Sequence, residues 1–145
     1  MLSEHSDNRL RRVERLRGKG AVAQLFDQGE SHFAYPIRYV VLPTAQVESE
    51  QGQEQVEGEK RRPHPIELLF NVPKRYQRRA NKRNLLRRRI KEAYRLGRKD
   101  LRLSEFKSPL RIALIYSTKE VVEYAVIERS IGKIIKHLNE KFCSE

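Results

Sequence analysis

Residues 74–99 read K-R-Y-Q-R-R-A-N-K-R-N-L-L-R-R-R-I-K-E-A-Y-R-L-G-R-K, thirteen Lys or Arg against the single acid Glu92. A guanidinium donates hydrogen bonds in a planar fork and stays charged at any cellular pH, which suits phosphate. Arg83, Arg87, Lys91 and Arg95 recur every four residues. On a helix that spacing draws one stripe with steps of about 6 Å. Arg88 lies beside the stripe, and Asn84 adds an amide able to donate and accept at a sugar or base edge. Like charges four apart weaken a helix slightly, so four in line imply an anion opposite them. An ordinary solvated helix would interleave acids; here they are nearly absent. The chemistry written in this run is capture of a polyanion.

Catalytic constellations are missing. His5, His32, His64 and His137 lack ligand spacing. No Gly-rich phosphate loop occurs, and no nucleophile stands with a base in motif spacing. Glu67 and Glu92 are the better-placed carboxylates, and Glu92 reads more simply as a partner for a neighbouring Arg. Metal ligation by the side chains is not legible. The expectation is a binding protein with no catalytic residue of its own.

Composition agrees. The chain has 145 residues, 31 Lys or Arg and 19 Asp or Glu, a formal net charge of +12. Such a balance points to nucleic acid first and an anionic membrane surface second. The basic run lacks the broad exposed apolar face of a membrane-surface helix, which ranks that reading last. No apolar run is long enough to span a bilayer. Residues 1–17 lack the continuous apolar stretch of a secretion signal, and Cys143, the single cysteine, cannot form an intramolecular disulfide. A cytoplasmic location is expected.

The elements that must position the basic run can be read by period. Residues 1–17 form a basic arm carrying Arg9, Arg11, Arg12, Arg15 and Arg17, and residues 18–145 one domain. Val22, Leu25 and Phe26 give helical spacing over 20–28, with Gly29 expected as a left-handed helix terminator. Residues 33–42 read as strand, Ile37, Tyr39 and Val41 facing one way, Arg38 and Val40 the other. Residues 44–63 are rich in Gln, Glu and Gly without apolar period: a flexible acidic loop. Residues 65–72 are a second strand, with Ile66, Leu68 and Phe70 on one face and Leu69 on the other. Residues 83–97 are a helix held by Leu86, Ile90, Ala93, Tyr94 and Gly97. Residues 109–117 are a buried strand. A last helix covers 124–142 on Ile127, Ile131, Ile134, Ile135, Leu138 and Phe142.

V-P-K-R at 72–75 and A-N-K-R-N-L-L-R-R-R-I-K-E-A-Y-R at 80–95 resemble the signature of the bacterial ribonuclease P protein subunit. Arg83-Asn84 matches that family's Arg-Asn, Arg87-Arg88 its basic pair, and Lys91-Glu92-Ala93-Tyr94 the end of its motif. Leu85 stands where Arg is common, and Gln77-Arg78-Arg79-Ala80 where a Gly-Asn-Ala-Val stretch is frequent. R-L-R-G-K-G-A-V-A-Q-L-F-D-Q-G at 15–29 is similar to the family's first helix.

The resemblance implies a single α/β (α+β) two-layer sandwich in the order α-β-β-β-α-β-α, ribosomal protein S5 domain 2-like, with helices packed on a central mixed sheet. It implies the protein subunit of a ribonucleoprotein endoribonuclease. The catalytic RNA would remove the 5′ leader of precursor tRNA with Mg2+ held mainly by that RNA, and the protein alone would be inactive. Arg83, Asn84, Arg87, Arg88, Lys91 and Arg95 would contact the catalytic RNA. A cleft between the first helix and the sheet would take the leader through Phe26, Val22, Arg38 and Tyr39, with Lys74 and Arg75 at its edge. Phe26 reads as well as a core residue. The partners implied are the catalytic RNA and precursor tRNA, with no membrane and no protein partner. A non-catalytic RNA-binding protein of another particle, such as the ribosome, is the competing reading; the 80–95 motif favours the first. A protein-only nuclease lacks its catalytic constellation.

Overall fold

The computed structural model describes residues 15, 16, 18–43 and 66–143. Four short apolar-alternating segments make one sheet: β1 (Glu30–Ala34), β2 (Ile37–Pro43), β3 (Ile66–Asn71) and β4 (Leu110–Tyr116), in the order β1-β2-β4-β3. β1 with β2 and β2 with β4 run antiparallel, while β3 and β4 run parallel. The sheet is therefore mixed. Among the described residues its α-helices are α1 (Lys19–Gln28), α2 (Ala80–Gly97) and α3 (Tyr124–Phe142), giving the α-β-β-β-α-β-α order. α2 is the crossover that parallel β3 and β4 require.

Side chains alternate across the sheet and so divide into two cores. Ile37, Tyr39 and Val41 of β2, Ile66 and Leu68 of β3, and Ile112, Leu114 and Tyr116 of β4 pack against α2 and α3. On the opposite face, Val40, Leu42, Ala113 and Ile115 pack with Leu25 of α1 and with Leu16. Interior β4 is buried on both faces, which explains its nearly unbroken apolar run. Of the apolar stripes expected for the helices, Leu86, Ile90, Ala93 and Tyr94 in α2 and Ile127, Ile131, Ile134, Ile135 and Leu138 in α3 are buried, while Gly97 and Phe142 at the helix ends are partly buried.

Three local expectations need correction. The strand expected over 33–42 is a hairpin: β1 ends at Ala34, Tyr35 and Pro36 turn, and β2 starts at Ile37. The apolar alternation continues through the turn, so period two does not reveal the reversal. α2 begins at Ala80 rather than 83. Gly29 is extended, with φ −77° and ψ 160°, not left-handed. Its need for glycine is steric: a Cβ there would meet Leu25 O at 2.5 Å and Val40 Cγ1 at 2.7 Å. The left-handed glycine is Gly18, with φ 94°, just before α1.

The expected acidic loop at 44–63 lies outside the described residues, as does most of the 1–17 arm. Where the arm is described it has a role. Leu16 N–H donates to Leu68 O at 2.8 Å, and Arg15 bridges Leu68 in parallel fashion. This segment runs along the outer side of β3 and pairs part of an otherwise open sheet edge. Among the described residues, no helix is long and apolar enough to cross a membrane.

Candidate nucleic-acid interface

A helix advances about 100° per residue, so a step of four overshoots one turn by about 40°. The row Arg83, Arg87, Lys91, Arg95 therefore winds round α2 by about 120°. On the helical wheel Arg83 falls between Ile90 and Tyr94, both buried. It is partly buried and turned back on the chain, its Nη1 donating to Gln77 O at 3.1 Å and Arg78 O at 2.7 Å. Gln77 is itself buried and donates its amide to Lys119 O at 2.8 Å. Together they fasten the entry into α2. Arg89, on the other flank, donates to Val122 O at 2.7 Å and ties α2 to the approach to α3.

The remaining basic positions make a coherent polar flank. Asn84, Arg88, Lys91 and Arg95 fall within about 60° of one another around the axis. Arg87 borders them and donates from Nη1 to Asn84 Oδ1 at 3.0 Å. Arg95 makes a two-point contact with Glu92, Nη2 to Oε2 at 2.7 Å and Nε to Oε1 at 3.2 Å, the partnership expected for Glu92. Arg15, brought in by the segment beside β3, completes a cavity of about 230 Å³ lined by Arg15, Arg88, Lys91, Glu92 and Arg95. Burial, with Arg15 and Arg87 nearby, pulls Lys91 below the ordinary lysine range. An anion in the cavity would reverse both unfavourable charge effects. Lys91 also lies over the Phe70 ring, 5.8 Å from its centre.

By sequence Arg15 belongs to the basic arm and not to this site. Its place depends on a backbone bridge to β3, which no local spacing encodes.

The expected leader residues separate. Val22 packs partly buried at the smaller core, and Phe26 beside it on α1 is 40% exposed. Arg38 is exposed on the α1 face of the sheet. Tyr39 points the other way, into the α2–α3 core, and is only 5% exposed. Its hydroxyl shares a 2.8 Å hydrogen bond with His137 Nδ1 and its ring stacks on His32 at 5.3 Å. The sheet thus stands between Tyr39 and Phe26. Lys74 and Arg75 are exposed in the turn after β3, and the Arg75 guanidinium lies 5.0 Å from the Tyr76 ring centre.

Among the described residues, no three His, Cys, Asp or Glu side chains gather in a way that could hold a metal ion. The arrangement offers guanidinium and ammonium donors on one flank of α2 and, beside α1, an uncovered strip of the sheet with Arg38 and Phe26 exposed. It is equipped to bind a phosphate backbone beside unpaired bases.

A family model described as Ribonuclease P matches residues 10–139. The "Ribonuclease P protein component" of Porphyromonas gingivalis is 29% identical over 126 residues, 86% of this chain and 82% of that one. The protein of the same description from Chlorobaculum tepidum is 36% identical over 99 residues, 66% of this chain and 55% of that one. Among solved structures, the RNase P protein of Staphylococcus aureus superposes with TM-score 0.61 at 14% identity, covering 90% of this chain and 98% of that one. The RNase P protein from Thermotoga maritima gives 0.59 at 17% identity, covering 86% and 96%. At these identities the two structures speak to the fold.

Proposed function

Because the chain belongs to the ribonuclease P protein family, we propose that it serves its ribonucleoprotein through two surfaces, one for the RNA subunit and one for the substrate's leader. It is the protein component of an RNA-processing endoribonuclease, and the RNA subunit is its partner. The polar flank of α2 (Asn84, Arg87, Arg88, Lys91 and Arg95), with Arg15, seats that RNA. Arg83 contributes mainly by holding the start of α2. The sheet face beside α1, with Val22, Phe26 and Arg38, takes the single-stranded 5′ leader of precursor tRNA, while Lys74 and Arg75 follow its backbone. Mg2+ held by the RNA supplies the hydrolytic chemistry. The chain by itself cleaves nothing; it lends affinity and position.

The observation that carries this reading is the cavity formed by Arg15, Arg88, Lys91 and Arg95 on the side of α2 turned from the core. Three of those four cations have no ion pair among the described residues, and an RNA backbone neutralises such a cluster. The direct test adds the full chain to a bacterial ribonuclease P RNA and precursor tRNA at low Mg2+. Stimulated cleavage at the 5′ end of the mature tRNA is expected, with none from the chain and Mg2+ alone. Absence of stimulation, or cleavage by the chain alone, overturns it.

A further inference from the structure

Residues opposite one another in neighbouring strands share a face. Phe33 pairs with Arg38, Arg38 with Ile115, and Ile115 with Asn71. These four make one row across β1, β2, β4 and β3. Ile115 belongs to the smaller core, so the row lies on the α1 side of the sheet. Three interstrand spacings make it about 14 Å wide. Lys74 and Arg75 follow β3 at its Asn71 end.

Phe33 is the anomaly in that row. It is 58% exposed, and Tyr35, 49% exposed, stands edge-on to it with ring centres 6.4 Å apart. The Tyr35 hydroxyl donates to Glu120 Oε1 at 2.8 Å, which fixes this wall and engages the nearby acid. An aromatic pair on an edge strand contributes little burial and invites unwanted association; a polar residue would serve a merely solvated edge better. Arg38, directly opposite Phe33, has no ion pair among the described residues. Aromatic face and unpaired cation side by side match an unpaired base and its phosphate.

We propose that Phe33, walled by Tyr35, stacks an unpaired base of single-stranded RNA whose backbone is held by Arg38. The leader path then crosses the full width of the sheet, from Lys74 and Arg75 to the β1–β2 turn, instead of ending beneath α1. This rests on the reading of the α1 face as the leader surface and adds its far end. Stacking tolerates any base, so the contact favours leader length over leader sequence.

The chain contains no tryptophan, so Phe33→Trp places a single tryptophan at the site, excited apart from the tyrosines. Fluorescein-labelled oligouridine, titrated into the full chain, is the probe. Phe33→Ala is expected to weaken binding at least about fivefold, the low end for one stacked base. Phe33→Trp should restore affinity, and its emission should quench in proportion to occupancy. Phe26→Ala and Arg38→Ala, measured in parallel, report on the leader surface itself. Weaker binding by those two with unchanged affinity for Phe33→Ala, or unquenched emission from Phe33→Trp at saturation, overturns the Phe33 contact and leaves the leader surface standing. Unchanged affinity for all three alanine variants overturns both.

Discussion

Replacing Arg15, Arg88 and Lys91 together by Gln removes the charge proposed to seat RNA and, of the contacts that hold the fold, only that of Lys91 with the Phe70 ring. The three share one cavity, and among the described residues their side chains have no ion pair and donate no hydrogen bond. Each phosphate neutralised contributes roughly 0.7 to 0.9 to the slope of log affinity against log salt. If each cation meets one phosphate, the triple variant's slope for ribonuclease P RNA should be shallower by about 2 to 3. The assay is filter binding or anisotropy with full-length chain and RNA subunit from 50 to about 400 mM KCl. The loss should be large at low salt and shrink as salt rises. Thermal stability should hold or improve slightly, since repulsion between Arg88 and Lys91 three residues apart is removed. A slope equal to that of the unsubstituted chain, with affinity down by a constant factor, would refute the reasoning. It would mean the cavity acts through shape and not through charge.

Three further outcomes follow from the same geometry. Arg83→Ala should cost about 1 to 3 kcal/mol of stability in urea unfolding, because the Gln77 and Arg78 carbonyls lose a charged donor; equal stability would return Arg83 to the RNA-contacting set alone. Gly29→Ala should destabilise by about 1 to 3 kcal/mol although its backbone is ordinary, since the added methyl meets Leu25 O and Val40; a neutral result would show that the α1–β1 junction yields. Acid should weaken the fold through His137, whose imidazole is pulled below the ordinary value of 6.5 by burial, then by His32 and Lys141, against Glu140 and Glu30. With Tyr39 also on its ring, it protonates less readily folded than unfolded, so the unfolded state binds the extra proton. The stability it contributes is present above about pH 6.5 and falls away as pH drops through its lowered folded value. His137→Gln should flatten that part of the thermal midpoint's pH profile between pH 7.5 and 5; an unchanged profile rules His137 out.

Burial patterns carried most of the fold. Period two in Ile37, Tyr39 and Val41, and helical period in Ile127 through Leu138, report one side chain's environment at a time, and each face was legible from its own segment. The hairpin was not, because Phe33 to Val41 keeps alternating across the Tyr35–Pro36 turn. Gly29 shows a second limit. Glycine after an apolar helix suits a left-handed terminator, yet the selecting contacts are Leu25 O, four residues back, and the Val40 side chain, eleven residues on in β2, and the second lies outside any local pattern.

The site divides along the same line, and the division bears on how the basic helix works. A spacing of four tells truly that Arg83, Arg87, Lys91 and Arg95 are neighbours in succession, but α2 turns about 40° further at each step. The first member is therefore carried to the packed side and spends its guanidinium on the Gln77 and Arg78 carbonyls, while the last is held by Glu92. Neither end of the stripe is free in the way its middle is. Arg88 and Lys91 reach the cavity without an ion pair among the described residues, and what joins them there is Arg15, delivered by a backbone hydrogen bond between Leu16 and Leu68. A helix alone would present a winding row of charge to its RNA. Adding one residue from outside the helix turns that row into a fixed concavity, in which several donors can meet the same stretch of backbone.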